Sequence, residues 1–392
     1  MSAEWEETTL ADISADVSYG YTESASDQKV GPRFLRITDI QNGVVNWGNV
    51  PYCPISKADH GKYRLQSGDI VVARTGNSTG ENFLYRGIED AVFASYLIRF
   101  RINHEEADPA FIWYNLRSKR WWNFINSSKT GSAQAGANAK VLGQFSLSLP
   151  PLAEQKSIAQ VLAALDDKIE LNRRMNETLE ALAQSLFKSW FVDATQSALP
   201  KGWRETTLAD AIVIHDSKRI PLSSRERAVR RGKYPYHGAA SVMDYVDDFL
   251  FDGVYTLIGE DGSVVNDDDT PVLQYVWGKF WVNNHAHVLT GKNGVSVEHL
   301  LLFLKTVNIR PFVTGAVQPK LNQGNLCRVP FVLPPESVCK EFAGIIEPMF
   351  ARIRANTEES RTLAALRDAL LPKLLSGELR VPATAKFMEA HA

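Results

Sequence analysis

The chain has 392 residues, 44% of them hydrophobic, enough to bury more than one core, so two or three domains are expected. Its formal net charge of −2 excludes a globally basic protein, and any nucleic-acid surface must be local. The 3 cysteines, Cys53, Cys327 and Cys339, make no CxxC pair, the N-terminal Met-Ser-Ala-Glu-Trp-Glu-Glu is acidic, and no apolar run approaches a membrane span; a disulfide framework, a zinc knuckle, a signal peptide and a transmembrane helix are not expected, and a cytoplasmic, reducing setting fits.

The first globular region covers 1–148. It opens with Trp5-Glu6-Glu7-Thr8-Thr9-Leu10-Ala11-Asp12. Arg33-Phe34-Leu35-Arg36-Ile37 alternates like a half-buried strand, and Gly68-Asp69 turns into the β-branched strand Ile70 to Arg74. That strand ends in the polar loop Thr75-Gly76-Asn77-Ser78-Thr79-Gly80. Ala91 to Phe100 reads as a further strand, and Asp108-Pro109 opens a helix through Trp113, Leu116 and Trp121. A second polar loop follows, Thr130-Gly131 with Gln134 and Asn138.

Leu149-Pro150-Pro151 then starts a long helix, 149–193. Ile158, Leu162, Leu165, Ile169, Asn172, Asn176, Leu179, Ala183, Leu186 and Trp190 alternate by four and three, the 3.5-residue period of a coiled-coil seam. The segment 194–202 carries turn and coil residues and reads as a linker.

From 203 the plan repeats. Trp203-Arg204-Glu205-Thr206-Thr207-Leu208-Ala209-Asp210 opens a second globular region, 203–332. Gly253 to Ile258 and Gly278 to Leu289 read as strands, and Val297 to Val307 as a short apolar helix. Thr314-Gly315 with Gln318 and Asn322 repeats the earlier polar loop, and Leu333-Pro334-Pro335 starts a second long helix, 333–377, before a tail at 378–392. Laid on each other at Leu149 and Leu333, the two helices match without a gap at Lys156/Lys340, Ala159/Ala343, Ile169/Ile353, Asn172/Asn356, Leu179/Leu363 and Leu186/Leu370. This is an internal duplication. Its frame is shared while the loops differ, and strands followed by a terminal helix give an α+β fold.

The second helix has the same period, Phe342, Ile346, Met349, Ile353, Asn356, Ser360, Leu363, Arg367, Leu370 and Leu374. A stripe this narrow suits one other helix, and the two copies are expected to pair antiparallel as a coiled coil; separate packing of each on its own domain is the alternative. Both seams turn polar midway, so Asn172 is expected to face Asn356 and fix register. Pro348 predicts a kink between Gly344 and Pro348.

No nucleotide P-loop, GxGxxG, GxSxG elbow or Asn/Asp-Pro-Pro-aromatic motif is present, so no catalytic residue is expected. His285 and His287 are two apart, as metal ligands on one strand face would be, but no third ligand accompanies them, and no metal is expected. The positive signal is charge. Lys218, Arg219, Arg225, Arg230, Arg231 and Lys233 crowd one segment and are candidate phosphate contacts, together with the more dispersed Arg33, Arg36 and Arg74 of the first region. Asn77, Gln134, Asn138, Gln318, Lys320 and Asn322 lie on polar loops, where they either reach base edges or cap turns.

Leu149-Pro150-Pro151-Leu152-Ala153-Glu154-Gln155, the Thr-Gly-x-x-Gln loops at 130 and 314, Gly68-Asp69-Ile70, Tyr255 to Gly262 and Phe280 to His287, duplicated in this order around two long helices, resemble the specificity subunit of a type I restriction–modification system over nearly the whole chain. The resemblance implies two target recognition domains, each reading one half of a bipartite double-stranded DNA site, with the helices as a spacer. It implies two modification subunits that bring S-adenosylmethionine for adenine methylation, and restriction subunits that use ATP and Mg, this chain binding no cofactor itself. Glu154-Gln155 becomes Val338-Cys339 in the second copy, so the second helix start need not make the same contacts. A coiled-coil scaffold that recruits partners without reading DNA, and an enzyme with an unrecognised site, are the competing readings.

Overall fold

The computed structural model describes residues 5–129, 137–315 and 317–381. In the first region the strands are β1 (Glu6–Thr9), β2 (Ser14–Tyr19), β3 (Arg33–Leu35), β4 (Asp69–Ala73), β5 (Asn82–Leu84), β6 (Ala91–Phe93), β7 (Leu97–Ile102) and β8 (Ser146–Leu149). Its helices are α1 (Lys57–Tyr63), α2 (Pro109–Asn115), α3 (Lys119–Lys129) and α4 (Ala139–Gly143), and α5 (Leu152–Phe187) follows. The second region has β9 (Arg204–Thr207), β10 (Ile212–Ile214), α6 (Ser224–Val229), β11 (Arg231–His237), β12 (Val242–Val246), β13 (Phe251–Gly259), β14 (Leu273–Val282), β15 (Ala286–Gly291), α7 (Val297–Leu304), α8 (Gln323–Cys327), β16 (Pro330–Leu333) and α9 (Glu336–Leu375).

By contacts the chain divides into two units, Met1–Ile169 with Arg361–Ala392, and Glu170–Ser360. Each unit therefore holds one globular region with a part of α5 and a part of α9. In the first unit β2-β7-β4-β5 form a four-stranded sheet, and β3 lies parallel to β6. In the second, β10-β15-β13-β14-β11-β12 form a six-stranded sheet with β12 at its edge.

The duplicated frame is visible in both units. The Thr-Thr strand pairs antiparallel with the strand that runs into Leu-Pro-Pro, Thr9 opposite Ser146 in one and Thr207 opposite Pro330 in the other. Before it, Asn138 and Asn322 each open a five-residue helix, the side-chain oxygen accepting the amide of Val141 at 2.9 Å and of Asn325 at 2.8 Å. A cap of this kind satisfies a backbone donor that the helix start leaves open.

Several sequence expectations need correction. The strand expected at Ala91 to Phe100 is two strands, because Leu97 N–H closes a turn on the Ala94 carbonyl. The helix from Asp108 is two helices; the turn bonds Arg117 N–H to Tyr114 and Ser118 N–H to Asn115 separate α2 from α3. The strand expected from Gly278 stops at Val282, and His285 lies in the turn before β15, so His285 and His287 do not share a strand face. The basic segment, which the sequence shows only as charge, runs through α6 into β11, and β12 follows as the other strand of a hairpin.

Helix α5 runs 36 residues with no proline or glycine inside and ends in a π-helical turn at Lys188–Val192. Helix α9 runs unbroken for 40 residues through Pro348, so the expected kink does not divide it. In the second unit rising positions on α5 meet falling positions on α9, from Asn172 with Ser360 to Phe187 with Phe342, so these parts run antiparallel. In the first unit Asp166 bonds Arg367 and Glu154 bonds Arg380, in the same sense.

The cores explain which helix faces are buried. Ile158, Ala159, Leu162, Leu374 and Leu375 join the first globular core with Phe111, Trp121 and Leu147. Ala183, Phe187, Phe191, Phe342, Ile346 and Phe350 cluster with Leu301 and Leu302 of α7 in the second. Each leucine, isoleucine or phenylalanine among them stabilises by about 1.5–3 kcal/mol when fully buried. The helices thus pack on each other and on their globular regions. The motif that opens α5 has its own role: Gln155 accepts the Asp108 amide at 2.9 Å and donates to the Pro150 carbonyl at 2.9 Å, tying the start of α5 to that of α2. Cys339, at the same place in α9, donates to the Pro334 carbonyl 3.9 Å away.

Candidate nucleic-acid interface

In the first unit, β4 delivers Arg74 to the surface. Its Nε donates to the Ser95 carbonyl at 3.0 Å, and its guanidinium lies between the rings of Tyr19 and Tyr96, 5.2 and 5.9 Å away. Both tyrosines are half exposed. Arg74 also accepts the Ala137 amide at 2.9 Å, and Tyr19 Oη accepts the Ala139 amide at 3.1 Å. Arg74 and the Asn138 cap are thereby held together, with exposed Asn77 on the turn that follows β4. Gln134 lies outside the described residues. Arg33 and Arg36 stand apart from this group. Arg33 donates to the Val50 carbonyl at 2.5 Å and covers the Tyr52 ring, and Arg36 closes on Asp39 through two bonds of 3.0 and 2.9 Å. Both guanidinium groups brace their own loops.

The second unit separates its basic residues into two kinds. Arg219 points inward, its side chain 12% exposed, and donates to Glu260 and to the Ala286 carbonyl, both at 2.7 Å, with Asp216 at 3.2 Å. Asp216 also faces His287 Nδ1 at 2.5 Å, and accepts from the Val288 amide at 3.0 Å and from Gln323 at 2.7 Å. His287 Nε2 donates to the Leu321 carbonyl at 2.7 Å. Burial pushes the Asp216 pKa up, but the His287, Val288 and Gln323 bonds outweigh that and hold it below the ordinary carboxylate range. Asp216, Glu260 and His287 bring metal-ligand atoms within 4.8 Å of one another. The cation beside these carboxylates is Arg219, and the donor atoms are spent on hydrogen bonds.

This network joins four chain segments below an exposed polar surface. Lys320 pairs with Thr314 through both backbone bonds, 2.9 and 2.7 Å, and its Nζ lies 3.8 Å from Glu260. Gln318 and Lys218 are exposed, and Asn322 caps α8. His285 pairs with Asp261 at the rim. Arg219 is thus a brace, and of the residues named here the exposed Lys218 and Gln318 are the ones whose side chains can turn to a ligand.

The remaining cations lie on α6 and the start of the β11–β12 hairpin that follows it. Arg230 pairs with Asp247 at 2.9 Å and lies over the Trp281 ring, 4.9 Å away. Arg225, Arg231 and Lys233 are exposed, and among the described residues none of them forms a salt bridge. Exposed cations not closed into a salt bridge are what a phosphate backbone can use.

In the middle of the long helices Asn172 and Asn356 are both buried, 0% and 1% exposed. Asn172 Nδ2 reaches the Asn356 carbonyl at 3.4 Å and Glu359 at 2.9 Å, while Asn356 Nδ2 donates to Asn176 at 2.8 Å. The two amides approach each other and bond across to neighbouring turns.

The chain matches the type I restriction modification DNA specificity domain twice, at residues 3–181 and 200–364. It is 24% identical over 350 residues to the type I restriction enzyme MjaIX specificity subunit of Methanocaldococcus jannaschii, covering 81% of this chain and 76% of that protein. It is 23% identical over 470 residues to the HindI specificity subunit of Haemophilus influenzae, covering 96% of this chain and 100% of that one. Among solved structures, the type I restriction–modification S subunit of M. genitalium overlays with a TM-score of 0.63 at 18% identity, covering 95% of this chain and 96% of that chain, a likeness of fold.

Proposed function

The chain belongs to the type I restriction modification DNA specificity family, and from that premise we propose how its parts divide the work. It is a sequence-specific DNA-recognition subunit. The observation that carries this is the double match to the specificity domain on a chain whose frame is repeated and whose sheets differ, four strands in one unit and six in the other. Two similar mounts with different reading surfaces suit an asymmetric bipartite target.

In the first half-site, Arg74, Asn77 and Asn138 stand beside the exposed Tyr19 and Tyr96. In the second, Lys218, Gln318, Lys320 and the hairpin cations face the duplex. Phosphate contacts position the chain and base-edge contacts specify the sequence. Helices α5 and α9 serve as the spacer, with Asn172 and Asn356 fixing their register; a buried polar pair of this sort discriminates against slipped pairings at some cost in stability.

The helices also mark where partners dock. Val161 and Ile345 occupy equivalent positions of the repeat and are 37% and 40% exposed; Leu182 and Leu366 are likewise equivalent and 50% and 47% exposed. Apolar side chains left open at matched positions suit two copies of one partner, the modification subunit. That subunit carries S-adenosylmethionine and the methyl transfer to adenine, and restriction subunits supply ATP- and Mg-dependent cleavage; this chain supplies no catalytic group.

The test is methylome sequencing of cells that carry this chain with its modification subunit. An N6-methyladenine motif of two short half-sites around a fixed gap, lost when the chain is deleted, is expected. Methylation unaffected by the deletion would remove the reading and favour a scaffold that does not touch DNA.

A further inference from the structure

The hairpin of β11 and β12 stands out for what it leaves uncovered. Its inner face is core: Tyr236 and Val246 are 1% and 0% exposed and pack on Trp281. Residues opposite each other on antiparallel strands share a face. Pro235 lies opposite Tyr245, so these two form the outer face, and Met243 bulges out of the pairing beside them, its sulfur accepting from the Asn283 side chain at 3.5 Å. Tyr245 and Met243 are each 54% exposed. A soluble strand at a sheet edge ordinarily carries charge there as protection against pairing with other chains. Here the outer face is apolar and aromatic, and the unpaired cations Arg225, Arg231 and Lys233 lie on the strand and helix beside it.

The hairpin is also held in place before any partner arrives. At its turn Gly238 N–H bonds the Ser241 carbonyl at 2.8 Å. Gln274 of β14 donates to the carbonyls of Gly238 and Ala239 at 2.9 and 3.2 Å, and its oxygen meets His237 Nδ1 at 2.9 Å. Arg227 of α6 pairs with Asp244 at 3.2 Å, locking the helix that bears Arg225 to β12. The turn itself is Ala239-Ala240-Ser241, small enough for close approach.

We propose that this hairpin is the base-reading element of the second unit, entering the major groove with Tyr245 and Met243 against thymine methyl groups while Arg225, Arg231 and Lys233 hold the flanking phosphates. The inference rests on the DNA-recognition reading above and adds the groove, the element and the residues that discriminate. A two-stranded ribbon fits the major groove, where thymine alone presents a methyl group for apolar contact. The cations identify the occupant as a polyanion, and the apolar face between them has no use on phosphate.

The two kinds of residue separate by experiment. The full chain is used to select binding sites from a randomised duplex library at two salt concentrations. Tyr245→Ala and Met243→Ala are expected to relax preference about tenfold or more at adjacent positions of one half-site, as loss of a single base contact does. The other half-site and the salt dependence should stay as in the unaltered chain. Arg231→Ala and Lys233→Ala are expected to weaken binding to all sequences alike and to lower the salt slope by about one each. Both apolar side chains are exposed, and Tyr245→Phe, which keeps the ring, should keep the motif with an unchanged melting transition. A motif untouched by Tyr245→Ala and Met243→Ala, or relaxed in both halves together, overturns the proposal. If the unaltered chain selects no motif at all, the DNA-recognition reading fails first and takes the hairpin with it.

Discussion

His299 lies 1% exposed against the rings of Phe187, Phe191 and Phe342, and its Nδ1 has no partner among the described residues. Burial pushes its pKa down to about 3, so the ring is neutral in the folded chain. An unfolded histidine titrates near ~6.5. Between these values the unfolded chain binds the extra proton, so stability is full above the unfolded value and is lost as pH falls toward the folded one, by up to about 1.4 kcal/mol per pH unit. Asp216, whose pKa is also held low, loses its share in the same direction as pH falls. The two are told apart by substitution. His299→Leu should flatten the fall in melting temperature between pH 6.5 and 4, while the unaltered chain loses several degrees; parallel curves for the two chains would contradict a buried neutral ring. Residue-scale roles were the least legible in the sequence. Lys218 and Arg219 are adjacent and look alike there, yet one is exposed and the other is the inward brace on Asp216 and Glu260. Charge is written in a sequence, but burial depends on which strands converge.

Helices α5 and α9 were legible because their apolar spacing keeps one period for ten positions, and the duplication doubles the signal. Their ends were not. At the end of α5 the buried residues are Phe187 and Phe191, one place beyond the expected Leu186 and Trp190. A straight helix drifts about 20° per heptad against a strict seven-residue repeat, and at this end Leu301 and Leu302 of α7 take the neighbouring face. The strands of β11 and β12 were missed for a related reason: Val242-Met243-Asp244-Tyr245-Val246 is apolar on both faces, so no period-2 alternation announces it. What the helices leave exposed gives the prediction at this scale. Val161→Glu with Ile345→Glu places charge on two open, repeat-equivalent positions without touching a core. Recovery of the modification subunit by affinity purification on this chain should fall at least tenfold, while its melting temperature stays within about a degree. Undiminished recovery would move the docking surface elsewhere.

The whole chain repeats a frame and varies what the frame carries. The Thr-Thr strand, the Asn-capped short helix, the Leu-Pro-Pro turn and the long helix recur with the same pairing register, whereas the sheets have different strand numbers and orders. A conserved mount with divergent surfaces separates two properties of a bipartite target, the sequence of each half and the gap between them. In the proposed division of work the first belongs to the globular regions and the second to helix length. Adding one helical turn, four residues, to both α5 and α9 near Asn172 and Asn356 adds about 6 Å at 1.5 Å per residue. That is less than two base-pair steps of ~3.4 Å, and a four-residue insertion is the kind of interruption a coiled coil absorbs by local unwinding. The methylated motif should then keep both half-sites and widen its gap by one or two base pairs. A motif with altered half-sites and the old gap would mean that the globular regions set the distance themselves. An unchanged motif would mean that the inserted turn is looped out and the helices measure nothing.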